Sequence, residues 1–179
     1  YAQLKTSQRR MAWLDWLTVE AKNGNAEALS ALRARSKKDS RMAGNHISGY
    51  PYQNNQSINE TVEAVTKDGT VCYKIGNTAI RDDGKRLFVS PSALNDSLAD
   101  VLQVAIDKYG NHLSVNGSDD FKKSIVQAAV QNSLPVTFDD KALEHYRQQL
   151  LKQQTISQTQ HFTEIQAKAN TTKARRNSL

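Results

Sequence analysis

A chain of 179 residues with 38 % hydrophobic residues and much Gln, Asn and Ser holds one ordinary core with polar extensions. It has no run of about 18 apolar residues, and the opening YAQLKTSQRR has no apolar leader core, so neither a spanning helix nor membrane insertion is expected. The +6 net charge is uneven: residues 1–41 carry nine Lys/Arg against four Asp/Glu, residues 60–147 ten against thirteen, and residues 148–179 five against one. A mildly acidic middle between basic flanks suits a phosphate backbone, while solvated helical surface is the bland alternative.

The first predicted helix runs from near Ser7 to Asn23, with Trp13, Leu14, Leu17 and Ala21 at helical spacing and Asn23-Gly24 as a left-handed stop. Trp13 and Trp16 share one face; core packing is the first expectation, and a partner contact or base stacking the alternative. Asn25 caps a second helix, Ala26 to Arg35, giving a hairpin with Arg33 and Arg35 on its outer side. From Lys37 to Asn59 periodicity vanishes in a run rich in Ser, Asn, Gln and Gly, which reads as a flexible linker leaving the hairpin separately mobile.

Period two then takes over. Strands are expected at Thr61–Val65, Val71–Ile75, Thr78–Arg81 and Arg86–Val89, joined by Gly-containing turns into an antiparallel meander. Ser90-Pro91 opens a helix with Leu94, Leu98, Val101, Leu102, Ala105 and Tyr109 on one stripe. A strand at His112–Val115, a helix at Asp119–Asn132 and a strand at Leu134–Phe138 imply a parallel pairing within a mixed sheet. Asp139-Asp140 caps a last helix through Leu143, Tyr146, Leu150 and Leu151, and past Gln154 a linker or fraying helix is expected.

Catalytic chemistry is not legible. The pairs Asp82-Asp83, Asp119-Asp120 and Asp139-Asp140 fall where turns or helix starts need carboxylates, and no metal site is assigned to them. His46, His112, His145 and His161 show no ligand spacing, and no glycine-rich loop precedes Lys-Ser or Lys-Thr, so no catalytic residue and no cofactor is nominated. Asn116-Gly117-Ser118 is an ordinary capped turn or, less favoured, a phosphate cradle backed by Lys122 and Lys123. The single Cys72 reads as a small apolar strand residue in a reducing cytoplasm. The start at Tyr1 suggests a fragment of a longer protein.

The phrases GNAEALSALRAR, IRDDGKRLFVS and YGNHLSVNGSDDF, within Arg9 to Tyr146, resemble the large polyvalent protein-associated domain seven found behind the nicking domain of plasmid relaxases. The resemblance implies a place in conjugative transfer, where a relaxase nicks the plasmid origin, stays joined to the 5′ end and leaves through a type IV secretion channel. The nicking signature, an early tyrosine with a histidine cluster, has no counterpart here, so a non-catalytic accessory domain is implied.

The combined expectation is an α+β fold: a basic helical hairpin (1–36), a linker (37–59), a compact domain (60–147) with a four-stranded meander and helix-strand-helix-strand in a mixed sheet under packed helices, and a polar C-terminal helical or disordered tail (148–179). DNA phosphates would meet Arg9, Arg10, Arg33, Arg35, Lys37, Lys38 and Arg41, with Lys173, Arg175 and Arg176 a second set. The partners implied are single-stranded or origin plasmid DNA and the relaxosome. The alternative is a protein-interaction or translocation-signal module read by the type IV secretion coupling protein. The expected location is the bacterial cytoplasm, with transfer to a recipient alongside the parent protein.

Overall fold

The computed structural model describes residues 5–36, 44–50, 62–93 and 95–176. Its helices are α1 (Thr6–Lys22), α2 (Ala26–Arg35), α3 (Asn95–Tyr109), α4 (Asp119–Gln131) and α5 (Lys141–Arg176). Its strands are β1 (His46–Ser48), β2 (Val62–Val65), β3 (Val71–Ile75), β4 (Thr78–Asp82), β5 (Arg86–Val89), β6 (His112–Asn116) and β7 (Thr137–Phe138). The strands lie in the order β2-β3-β4-β5-β1-β6-β7, antiparallel throughout except for the β6–β7 pair. The fold is therefore α+β with a mixed sheet.

Alternation decides which face of the sheet is covered. Ile47, Val71, Tyr73, Ile75, Ile80, Leu87, Val89, Leu113 and Val115 point to one side and meet Leu98, Val101, Leu102 and Ala105 of α3 and Ile125, Val126 and Ala129 of α4 in one apolar cluster. The helices' apolar stripes end on that side because burying them is the main favourable term in folding, worth about 1.5–3 kcal/mol for each large aliphatic side chain. Local chemistry sets the helix ends. Asn25 Oδ1 accepts from the N–H groups of Glu27 and Ala28, both at 3.1 Å, and Ser118 Oγ accepts from Phe121 N–H at 3.2 Å. Gly24, at φ +94°, supplies the left-handed stop after α1.

Three expectations change, and one alternative is decided. The stretch from Lys37 to Asn59 is not all linker: His46–Ser48 form β1, wedged between β5 and β6, with Ile47 fully buried. Three residues with one apolar side chain are too short to show a period, and their stability comes from two flanking strands. The hairpin is not independent: Leu17, Ala21, Ala28 and Leu32 form a second cluster reaching Val65 of β2, while Leu29 also packs on the main core. The helix expected from Ser90-Pro91 begins later, because Ser90 closes a turn through Ala93 N–H at 3.0 Å, and α3 starts at Asn95. Past Gln154, where a linker or a fraying helix is expected, the chain is helix to Arg176.

Candidate nucleic-acid interface

Helix α1 buries Leu17 and Ala21 and half-buries Leu14, Thr18 and Glu20, and its other positions face solvent. Trp13 and Trp16 lie there, 41 % and 54 % exposed, which overturns the expectation that they pack in the core. Apolar residues at helical spacing look alike in sequence whether they line the buried stripe or its flank. Met11 and Val19 are exposed beside them, so one helix carries four large apolar side chains in solvent. Arg9 and Arg10 are exposed one turn earlier, and the exposed Arg35 of α2 brings its Cζ to 4.8 Å from the Trp13 ring centroid. That contact braces a guanidinium over an indole and leaves the outer indole, Trp16, open.

The other expected phosphate contacts divide. Arg33 turns inward: Nε donates to the Gly69 carbonyl at 3.0 Å, Nη2 donates to the Asp82 carbonyl at 3.5 Å, and Nη2 stands 3.7 Å from Asp82 Oδ1. Lys37, Lys38 and Arg41 lie outside the described residues, as do the side chains of Arg175 and Arg176. Lys173 is exposed on α5. The described surface thus gathers Arg9, Arg10, Trp13, Trp16 and Arg35, without Arg33.

Sequence reading missed the ionic centre that Arg33 joins. Asp82, read as one of a turn pair, is 1 % exposed and also pairs with Lys108 of α3. Its Oδ1 still serves the turn, accepting from Gly84 N–H at 2.7 Å. Burial holds the Lys108 ammonium below its usual pKa even with the Asp82 carboxylate against it. For Asp83, burial alone would raise the pKa, but the N–H groups of Lys85 and Arg86 and the Arg86 guanidinium outweigh it and hold the carboxyl below its ordinary range. This cluster is structural: it ties α2, β4 and α3 together.

The remaining acidic pairs serve helix starts. Asp119 and Asp120 occupy the first turn of α4, and Asp140 Oδ1 accepts from Ala142 N–H at 2.8 Å at the start of α5. Among the described residues no three His, Cys, Asp or Glu side chains converge as a metal group. At Asn116-Gly117-Ser118 the Ser118 N–H donates to Asn45 Oδ1 at 3.0 Å, so the amide that a phosphate would need is already taken. Cys72 is half-buried on β3, and burial pushes its thiol up. Among the described residues no helix is long and apolar enough to cross a membrane.

Residues 57–151, more than half of the chain, match the family described as large polyvalent protein-associated domain 7. The chain belongs to this family. The match takes in β2 to β7 with the first turns of α5, and the α1–α2 hairpin precedes it. The domain 7 chain is also similar to two proteins named Protein TraI from Escherichia coli. One is 42 % identical over 158 residues, covering 88 % of this chain and 21 % of the relative; the other is 44 % identical over 145 residues, covering 80 % and 19 %. The chain spans about a fifth of the length of these relatives, and the likeness runs beyond the family match into its flanks. No solved structure matches the chain.

Proposed function

We propose that this domain is a non-catalytic accessory part of a conjugative relaxase that holds plasmid DNA during processing and transfer. The observation that carries the reading is the solvent face of α1–α2, where the open Trp16 indole and the partly exposed Trp13 indole, with Arg35 over it, accompany the exposed Arg9 and Arg10. Guanidinium groups attract phosphates without regard to sequence, and exposed indoles stack on unpaired bases at about 1–3 kcal/mol each. Similarity to Protein TraI supports the place in conjugation. Lys37, Lys38 and Arg41 follow α2 directly in sequence and extend the basic set.

Trp13 and Trp16 are the only tryptophans, so the protein's own fluorescence reports on this face. Titration with a single-stranded oligonucleotide at several salt concentrations should quench that emission, with affinity falling steeply as salt rises and duplex of equal length quenching less. Absence of binding at low salt would overturn the reading.

A second reading has its own observation. Trp16 and Val19, three apart on α1, are exposed apolar neighbours that phosphate binding does not need. They fit docking to a protein such as the type IV secretion coupling protein or another relaxosome component, with modest salt sensitivity and strong dependence on Trp16.

A further inference from the structure

All helices that pack on the sheet do so from one side, and among the described residues none packs on the other. The helices carry mixed charge, Asp100, Asp107, Asp119, Asp120, Asp140 and Glu144 together with Lys108, Lys122, Lys123, Lys141 and Arg147. The helix-free face and its adjoining β4–β5 turn carry Lys74, Arg81, Lys85 and Arg86. Lys74 meets Glu63 at 3.1 Å and Arg86 meets Asp83 at 2.9 Å, but among the described residues neither Arg81 nor Lys85 has a carboxylate within ion-pair distance. Arg81 and Lys85 are therefore the two cations that this side offers without an ion-pair partner among the described residues.

The middle of that side is a cross-strand row. Cys72, Arg81, Phe88, His46 and Asn116 are successive register partners on β3, β4, β5, β1 and β6. The His46 ring lies 5.3 Å from the Phe88 ring and Arg86 Cζ stands 5.0 Å above Phe88, which is 4 % exposed, so the surface of the row is made by the residues around that ring.

The row leads to a cleft of about 460 Å³ where β1 ends and β6 begins, lined by Ser48, Tyr50, Lys85, His112, Ser114 and Asp139. Ser48 and Ser114 are register partners, so continuing the antiparallel register sets Tyr50 across from His112. His112 Nδ1 is fixed by Thr137 Oγ1 at 3.0 Å, and the Tyr50 side is 91 % exposed. Gly49 makes this placement possible: a Cβ there would lie 2.7 Å from Tyr109 Cβ and 3.2 Å from the His112 carbonyl oxygen.

We propose that the helix-free face of the sheet is a track for single-stranded DNA, ending in the Tyr50–His112 cleft, which takes one unpaired base. Arg81 and Lys85 meet phosphates, the Tyr50 and His112 rings flank the base, and the Ser48 and Ser114 hydroxyls and the Asp139 carboxylate are placed for its polar edge. A single strand suits the site because its bases are free to enter a cleft, whereas a duplex keeps them stacked inside. The inference rests on the DNA-holding role proposed above but uses a surface remote from α1.

The test is anisotropy of a labelled single-stranded oligonucleotide with the full 179-residue chain and three variants. The first is Arg9→Ala/Arg10→Ala/Arg35→Ala, the second Arg81→Ala/Lys85→Ala, and the third Tyr50→Ala, with Tyr50→Phe as its control. Tyr50→Ala should weaken binding about tenfold and Tyr50→Phe should not, since only the ring is needed. Arg81→Ala/Lys85→Ala should weaken it and lower the salt slope by about 1.4, the effect of two lost phosphate contacts on a single strand. Arg81, Lys85 and Tyr50 are exposed, so the fold tolerates these changes. Binding that depends on Arg9, Arg10 and Arg35 while ignoring both sheet-face variants overturns this inference and spares the DNA role. A wild-type chain that binds no strand at low salt overturns both.

Discussion

Arg33 on α2 and Asp82 at the end of β4 are 49 positions apart in the chain and 3.7 Å apart in space, and Lys108 of α3 approaches the same carboxylate from the other side. One buried charge thus serves three elements. Asp82→Asn keeps the side-chain shape and leaves two cations without their counter-charge. The expected cost is about 3 kcal/mol, at the low end for a broken buried pair because both cations reach solvent. Urea denaturation of the two proteins measures it, and a loss under about 1 kcal/mol would contradict the assignment.

Gly69, at φ +76°, lets Arg33 through. A Cβ there would come within 2.6 Å of Arg33 Cγ and 2.9 Å of its backbone nitrogen. Gly69→Ala is expected to cost more than the roughly 1–2 kcal/mol of a left-handed alanine. Arg33→Ala removes the Cγ clash, so the double variant should be more stable than the sum of the single losses predicts. A double-mutant cycle by denaturation decides it; simple additivity would show that the side chain does not matter.

Glu144 supplies a pH dependence. Its carboxylate is bonded first by the Arg147 guanidinium, at 2.6 and 3.0 Å, and further by Phe138 N–H and Gln148, which pulls its pKa down to about 2 from 4.5. A folded-state pKa below the unfolded one stabilises fully above the unfolded value and is lost as pH falls through the folded one. The Glu144 contribution is therefore present above about pH 4.5 and fades toward pH 2. In denaturation titrations from pH 6 to pH 2, Glu144→Gln should lie below wild type by a constant amount above pH 5, with the gap closing in acid. Asp83 declines in the same direction in both proteins.

Tyr109 carries a cost that one substitution removes. Its ring is in the core at 3 % exposure, its Oη has no hydrogen-bond partner among the described residues, and burial raises its pKa far above the ordinary phenol value. Tyr109→Phe should raise stability by about 1 kcal/mol, because an unsatisfied buried hydroxyl carries a desolvation penalty of that order. A lower melting temperature for Tyr109→Phe would show that the hydroxyl is bonded.

Trp16 and Leu32 make a contrasting pair. Leu32 is fully buried, and Leu32→Ala should cost about 2–5 kcal/mol. Trp16→Ser should leave the melting temperature within a degree or two, because more than half of the indole is already in water. A large loss from Trp16→Ser would place the indole in the structural core and remove it from the proposed binding face.

The elements most legible in sequence are those whose neighbours in the chain are also neighbours in space. α2, with Asn25 as its cap and Arg35 as its last residue, and the strands Val71–Ile75 and Arg86–Val89 lie where periodicity and turn residues put them. Asp82 was hidden because a buried ion-pair acceptor and a surface turn residue share the pattern Asp-Asp-Gly; the difference arises only when α2 and α3 arrive. Trp13 and Trp16 were misplaced because helical spacing gives a line of apolar residues without saying how wide the buried part is. Tyr50 and His112, 62 positions apart, line one cleft because β1 pairs with β6, and β1 itself has no period to read.

β1 also separates the extent of the family match from the unit of folding, although the likeness to the relatives spans it. The family match begins at residue 57, eleven positions after β1 starts at His46. A fragment trimmed to that boundary keeps six strands and lacks the one in the middle. β5 and β6 would each gain an unpaired edge, an invitation to strand exchange between molecules, and the space of Ile47 would stand empty. The residues ahead of the family match thus include the strand that closes the sheet, and the folding unit begins upstream of His46.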